Sequence, residues 1–350
     1  IGPDGNPYPP VSTGAGWANF IVGPDWPAGL YHSNLDSGGQ PLLQVAPNER
    51  NFQIPNIETP LEANFAGKIK LLGYHLPTRR VEPGSGLPIT LYWQGLQWMG
   101  QEFVIFDRLL DNQQIAWGGY DRLAKENYST LLWAPGEIIV DGFAVPVAAG
   151  TPDGVYTLSL GWYQEVEGAA KSLPILNPET GAPTEATSVQ IGPIKVGGPP
   201  AGATVNHAEP ENPVNVSLGA QIELLGYDMA MDSVEAAQNP RSKIQNLKLT
   251  FYWQALVPPD TSYTLFAHVR NGAGETVAQK DQPPTGGIYP TSLWSRDEII
   301  KDSLDIPLEA VAPGRYQLVI GMYDFATGKR LPLDGSQDGT LVLQSFEVNP

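Results

Sequence analysis

The sequence predicts an all-β chain of tandem antiparallel β-sandwiches, each built from two sheets. Three observations carry that expectation. Apolar residues alternate with period two, as in half-buried strands, and no stretch sustains a helical period. Gly 38 and Pro 34 in 350 residues punctuate the chain with turns. The third observation is a repeat: "TLYWQGL" at 90–96 returns as "TFYWQAL" at 250–256.

The repeat extends well beyond that phrase, and repeats are read before anything else. "KIKLLGY" (68–74) is matched by "QIELLGY" (221–227), and "YSTLLWAPGEIIVD" (128–141) by "YPTSLWSRDEIIKD" (289–302). "PDGVYTLSLGWY" (152–163) is matched by "APGRYQLVIGMY" (312–323), and "LPI" (173–175) by "LPL" (331–333). Order is kept, and the spacing stays close to about 160 residues after the first strand. Two copies are therefore expected, at 58–198 and 199–350, with the Pro/Gly-rich run "VGGPPAGATVNHAEPENP" (196–213) as linker.

Each copy holds seven or eight expected strands, in copy one near 68–74, 87–96, 102–110, 114–120, 137–147, 154–163 and 188–196. Ile89, Leu91 and Trp93 fall on one face, and Thr90, Tyr92 and Gln94 on the other. Copy two sets Leu249, Phe251 and Trp253 against Thr250, Tyr252 and Gln254 in the same way. Further along, Tyr156, Leu158, Leu160 and Trp162 match Tyr316, Leu318, Ile320 and Met322. Turn signals such as "DNQQ", "TPDG", "NGAG" and "APG" separate the strands. Strands of this length and spacing predict an immunoglobulin- or fibronectin-III-like sandwich, with a jelly roll as the alternative. Trp93 and Trp253 are expected in the core, and Trp133 and Trp294 beside them at a strand entrance.

Residues 1–57 are too short for a third sandwich and read either as its last strands, a partial copy preceding the first, or as an irregular cap packed on copy one. Their apolar residues Phe20, Ile21, Leu30, Leu42, Leu43 and Val45 are too many for a free tail and too few for an independent core. A sheet edge carrying them seeks a partner, so these six are candidates for assembly with another chain or another copy of this one. The chain opens on Ile1 without a signal peptide, which reads as a processed or excised part of something longer.

Composition excludes several classes. Lys+Arg 20 against Asp+Glu 37 gives a net charge of −17, which repels nucleic-acid backbones and anionic lipid surfaces. Cys 0 removes disulfides, thiolate metal sites and Cys nucleophiles together. No apolar run reaches the length of a membrane span, so this segment is not expected to insert into a membrane.

Catalytic patterns are weak. His32, His75, His207 and His268 are scattered without metal-ligand spacing, and no G-x-S-x-G elbow occurs. Glu137 with Asp141, and Glu298 with Asp302, recur in both copies and fit turn and strand-edge hydrogen bonding better than acid/base chemistry. "DGSQDG" (334–339) starts like a calcium loop, but Ser345 stands where the closing Glu belongs, so it reads as a surface turn. Asp107 in "FVIFDRLL", opposite Ala267 in copy two, reads as a polar strand end; turned inward it would need Arg108 or Arg122. No catalytic residue, metal or cofactor is expected.

Features shared by both copies serve the common fold, whereas features of one copy are free to serve something else. Trp98 has Pro258 opposite and Trp117 has Gln279, with Tyr120 nearby in sequence. These three are candidates for stacking on sugar rings, unless the tryptophans fill a seam or extend the core.

The string LLGY, T-[LF]-Y-W-Q-[GA]-L, Y-x-T-x-L-W with E-I-I-x-D, and G-x-Y-x-L-x-x-G-x-Y spans 58–350. It resembles the extracytoplasmic β-sandwich repeats of bacterial dolichyl-phosphate-mannose-type membrane glycosyltransferases and related bacterial surface proteins. That resemblance implies an extracytoplasmic, bacterial setting and an accessory, non-catalytic role. It assigns no catalytic residues, and the membrane-embedded catalytic part of those enzymes has no counterpart in this sequence. The functional expectation is a scaffold or assembly module on a cell surface, partnered by protein chains or copies of itself. The alternative is a carbohydrate-binding accessory region that meets cell-surface glycan.

Overall fold

A computed structural model of the chain describes residues 6–9, 12–14, 17–19, 26, 29–32, 41–45 and 50–348, apart from 126, 237–238, 334–335 and 337. The fold is all-β, with antiparallel sheets, as the periodicity predicts. By its internal contacts the chain divides into two compact units, Ile1–Thr151 with Thr157–Gly192, and Pro152–Tyr156 with Pro193–Pro350.

Copy one contains β1 (Thr59–Phe65), β2 (Ile69–His75), β3 (Gly86–Gly95), β4 (Val104–Leu110), β5 (Ile138–Pro146), β6 (Gly154–Val166) and β7 (Ser188–Val196). One sheet runs β5-β3-β2-β1; the other carries β4-β6-β7, extended by the short pieces Ala116–Gly118, Asp121–Arg122, Ala169–Ser172 and Arg80–Val81. Copy two contains β8 (Asn212–Leu218), β9 (Ile222–Ala236), β10 (Asn239–Ala255), β11 (Tyr263–Arg270), β12 (Thr276–Gln282), β13 (Ile299–Pro307), β14 (Gly314–Asp324) and β15 (Leu341–Val348). Its sheets run β13-β10-β9-β8, with Thr204–Val205 at the β13 edge, and β12-β11-β14-β15. Every strand expected in copy one is present, and β1 adds an edge strand. In copy two, β9 and β10 form a hairpin far longer than β2 and β3, which the sequence repeat does not foretell.

The registers of the two copies coincide. Ile139 lies opposite Trp93 and Ile300 opposite Trp253, while Leu160 faces Asp107 and Ile320 faces Ala267. Period-two alternation therefore puts Ile89, Leu91 and Trp93 inside, and Leu249, Phe251 and Trp253 likewise. Both signature indoles are 0% exposed. In copy one Trp93 meets Trp162 edge-on at 5.1 Å, and Trp133 meets Trp162 at 5.6 Å. Trp162 comes from the opposite sheet, so these contacts are the sandwich interface itself. Full burial of such rings supplies much of the apolar stabilisation of each core.

The other repeated letters also have local causes. The glycine of LLGY marks a register shift: a Cβ on Gly73 would stand 2.4 Å from Thr59 O, and one on Gly226 2.5 Å from Asn212 O. The [GA] position must stay small because a Cβ on Gly95 already comes within 2.8 Å of Ala134 O. Tyr156 donates to Pro152 O at 2.7 Å and Tyr316 to Ala312 O at 2.8 Å, each tying a strand entrance to the turn before it. In Y-x-T-x-L-W, the Thr hydroxyl oxygen accepts the Phe103 N–H (Thr130, 2.9 Å) or the Tyr263 N–H (Thr291, 2.8 Å). Its Trp donates to the carbonyl of the motif's own Tyr, at 3.3 Å for Trp133 and 3.0 Å for Trp294. Those two tryptophans follow 3-10 turns rather than opening a strand, but both are 0% exposed, as expected of core residues.

Ahead of copy one, Ser12–Gly14 pairs with Trp17–Asn19, and Gly29–His32 with Pro41–Val45. Leu30, Leu42, Leu43 and Val45 lie on the second pair, whose backbone alone is described; Phe20 and Ile21 fall outside the described residues. No helix among the described residues is long and apolar enough to cross a membrane.

Candidate functional site

Each copy buries a carboxylate socket that receives a basic side chain from the chain preceding that copy's first strand. In unit 1, Arg50 inserts among Tyr128, Leu132 and Glu137. Its Nη1 donates to Leu132 O at 2.6 Å and to Glu137 Oε2 at 2.5 Å, and more weakly to Tyr128 Oη at 3.3 Å. Both charged side chains are 6% exposed. In unit 2, Lys195 Nζ donates to Tyr289 Oη at 2.6 Å, Ser295 Oγ at 2.8 Å and Glu298 Oε1 at 2.7 Å. The Lys195 side chain is 3% exposed.

The socket is built by the repeated motif. The Tyr hydroxyl donates to the Glu, at 3.0 Å for Tyr128 on Glu137 and 2.5 Å for Tyr289 on Glu298. The Glu also accepts a backbone N–H three residues earlier, from Ala134 or Ser295, both at 2.8 Å. Burial pushes the Glu298 carboxyl up, but hydrogen bonds from Lys195, Tyr289 and the Ser295 N–H outweigh it and hold the group below the usual range. In copy one, burial and then the neighbouring Glu137 charge push the Tyr128 hydroxyl up to about 12. A tyrosine so raised stays protonated and donating. Glu137 and Glu298 are thus ion-pair anchors, more than the turn hydrogen bonds their spacing indicated.

A second buried node lies further along the motif, on β5 and β13. Lys125 and Thr285, both in left-handed backbone (φ 48 and φ 57), donate their N–H groups to Asp141 and Asp302 at 2.7 Å. In copy one Arg122 adds a fork to Asp141, at 3.0 and 2.8 Å, while its guanidinium lies 3.4 Å from the Phe143 ring centre. Its Nε is also 3.6 Å from Asp107 Oδ2, an ion-pair separation too long for a hydrogen bond. Asp107 is therefore no polar strand end: it points inward, 0% exposed, because period two carries it to the core side between Ile105 and Leu109. Burial raises its pKa, against the Tyr120 N–H and the Arg122 and Arg108 charges.

Copy two keeps the aspartate and its backbone N–H donor but has neither the arginine nor the second carboxylate. Gln282, opposite Leu265, takes the place of Arg122, which sits opposite Ile105; Ala267 takes the place of Asp107. Burial drives the Asp302 pKa up to about 6, against the Thr285 N–H and the Trp253 indole. Neither Asp302 Oδ2 nor Trp253 Nε1 completes a hydrogen bond.

The sequence candidates for sugar stacking do not share a site. Trp98, in the loop after β3, is 47% exposed. Trp117 is half-buried on the short strand against Leu109 and Leu110, with its indole N–H on Asp111 Oδ2 at 2.9 Å. They flank opposite ends of β4, roughly 20 Å apart at about 3.3 Å per residue. Tyr120, 39% exposed, sits midway, its N–H on Asp107 Oδ1 at 3.1 Å. Of the histidines with described side chains, His75 pairs with Glu58, His207 with Glu209 and His268 with Asp281. Among the described residues no group of three or more metal-ligating side chains assembles.

Arg50 and Lys195 escape a reading based on the repeat, because they precede their copies at unequal distances and differ in type. Neither is marked by a motif: Arg50 lies in the run before β1, and Lys195 lies near the end of β7, just ahead of the Gly- and Pro-rich linker. Compared with protein-family models and with curated proteins, the chain matches none.

Proposed function

We propose that this chain is a non-catalytic scaffold or assembly module of tandem β-sandwiches, acting outside the cytoplasm on a bacterial cell surface. The observation that carries the reading is the pair of equivalent sockets. Arg50 and Lys195 both come from chain that precedes a repeat, and both end buried on that repeat's Glu. Preceding chain, which for Lys195 is the end of β7, is thereby an integral part of the sandwich that follows it, which suits modules strung in series rather than independent catalytic domains. The resemblance of the repeat to extracytoplasmic modules supports the location. Its partners are other chains or copies of itself, met through residues 1–57. Sedimentation of the full chain against a variant lacking 1–49, which keeps Arg50, tests this. The full chain should associate and the shortened one should not; two equally monomeric species would defeat the reading.

Trp98 favours a second reading, a carbohydrate-binding accessory region of a membrane glycosyltransferase or other glycan-processing system. A tryptophan 47% exposed on a loop, absent from copy two, is available for stacking on a sugar ring.

A further inference from the structure

At the end of copy two where β9 and β11 begin and β14 finishes, the loops line an open cavity of about 420 Å³. That volume lies in the range of small-molecule sites, ~300–1,000 Å³, at its smaller end. Its polar lining is Gln221, Asp260, Thr261, Tyr263, Asp324, Lys329 and Arg330. Leu331 and Pro332 supply an apolar wall.

The polar groups are pre-positioned. Tyr263 Oη donates to Asp260 Oδ1 at 2.7 Å, and Gln221 Oε1 accepts the Asp260 N–H at 3.1 Å. Asp324 accepts from the Ala326 N–H and the Thr327 hydroxyl, at 3.0 and 2.8 Å, which fixes the hairpin that carries Lys329. Burial and the Asp260 carboxylate push the Tyr263 hydroxyl up to about 12, so it remains protonated. Phe325, next to Asp324 in the chain, is 77% exposed.

At the equivalent end of copy one the matching residues differ. Phe103 stands where Tyr263 does, Lys68 where Gln221 does, and Gln164 where Asp324 does. The Lys68 ammonium lies 5.4 Å from the Phe103 ring centre, and the Gln101 amide bonds to Gln164. The hydroxyl and carboxylates of copy two are thus not demanded by the shared fold.

We infer that this cavity is a binding site for a neutral, hydroxyl-rich sugar ring. The Asp260 and Asp324 carboxylates offset the Lys329 and Arg330 cations, so the lining carries no net charge that would favour an ion over a neutral ligand. Carboxylate, amide and ammonium in one small cavity match the alternating donors and acceptors of vicinal hydroxyls. The Leu331–Pro332 wall suits the apolar face of the ring.

This site goes beyond the scaffold reading, and its test is independent of sedimentation. The full chain is titrated with glucose, galactose, mannose and N-acetylglucosamine into the millimolar range, with binding read by saturation-transfer NMR. At least one sugar should bind saturably. Tyr263→Phe, which installs the copy-one residue, and Asp260→Asn should each weaken it about tenfold with the melting temperature unchanged. Trp98→Ala should leave it unaltered. No binding by any neutral sugar would overturn the assignment, as would binding that both cavity variants retain or that only Trp98→Ala removes.

Discussion

Arg122 closes on Asp141 through two hydrogen bonds, 3.0 and 2.8 Å long, whereas the matching Asp302 of copy two has a backbone N–H and no arginine. One carboxylate, kept in both copies beside the signature Trp, therefore sits in two different electrostatic environments.

The first consequence is pH dependence in copy two. The folded pKa of Asp302, about 6, stands above its ordinary 3.8. Folding therefore favours the protonated form. The stability this contributes is fully present below pH ~4 and is lost as pH rises through ~6, a change of about 3 kcal/mol. Asp302→Asn should raise the melting temperature of unit 2 at pH 7 and flatten its dependence between pH 4 and 7. Calorimetry across that range checks both.

The second concerns copy one. Arg122→Met strands Asp107 and Asp141 without a cation and should cost about 3–5 kcal/mol, as removal of one partner of a buried pair does. The double change Asp107→Ala with Arg122→Gln rewrites the copy-two arrangement and should cost less. It should also give unit 1 the acid-favoured stability of unit 2. Parallel denaturation curves at pH 5 and pH 7 measure this.

The third concerns the cores. Trp93→Ala and Trp253→Ala each remove a fully buried indole and should cost about 3–5 kcal/mol in their own unit. Urea titration followed at the remaining tryptophans would show it; a loss below about 1 kcal/mol would mean the cores do not depend on the repeated YW.

What the sequence disclosed follows from where its information is local. Trp93 and Trp253 were legible because alternation and duplication independently place them on the inner face. Asp107 was misread because an inward charge is costly without a cation, and only the two-residue strand that carries Arg122 shows that this candidate partner comes within reach. Arg50 lies ahead of copy one and Lys195 near the end of its last strand, so the repeat aligns neither with the other and no common offset relates them to Glu137 and Glu298. The cavity of copy two is lined by loops that are distant in sequence, from Gly219 to Pro332, and only folding brings those loops together. The long β9–β10 hairpin has no counterpart in copy one and so no signal in the comparison of copies.

The claim on which the serial-module account rests is that preceding chain completes each sandwich through the buried ion pair, Lys195 on Glu298 at 2.7 Å. The direct measurement is a double-mutant cycle of Lys195→Met and Glu298→Gln, read as the unfolding free energy of unit 2. The account predicts that either single change is costly and that the pair couples by about 1–3 kcal/mol. Costs that simply add, within about 0.5 kcal/mol, would show Lys195 to be a passive neighbour and would contradict it.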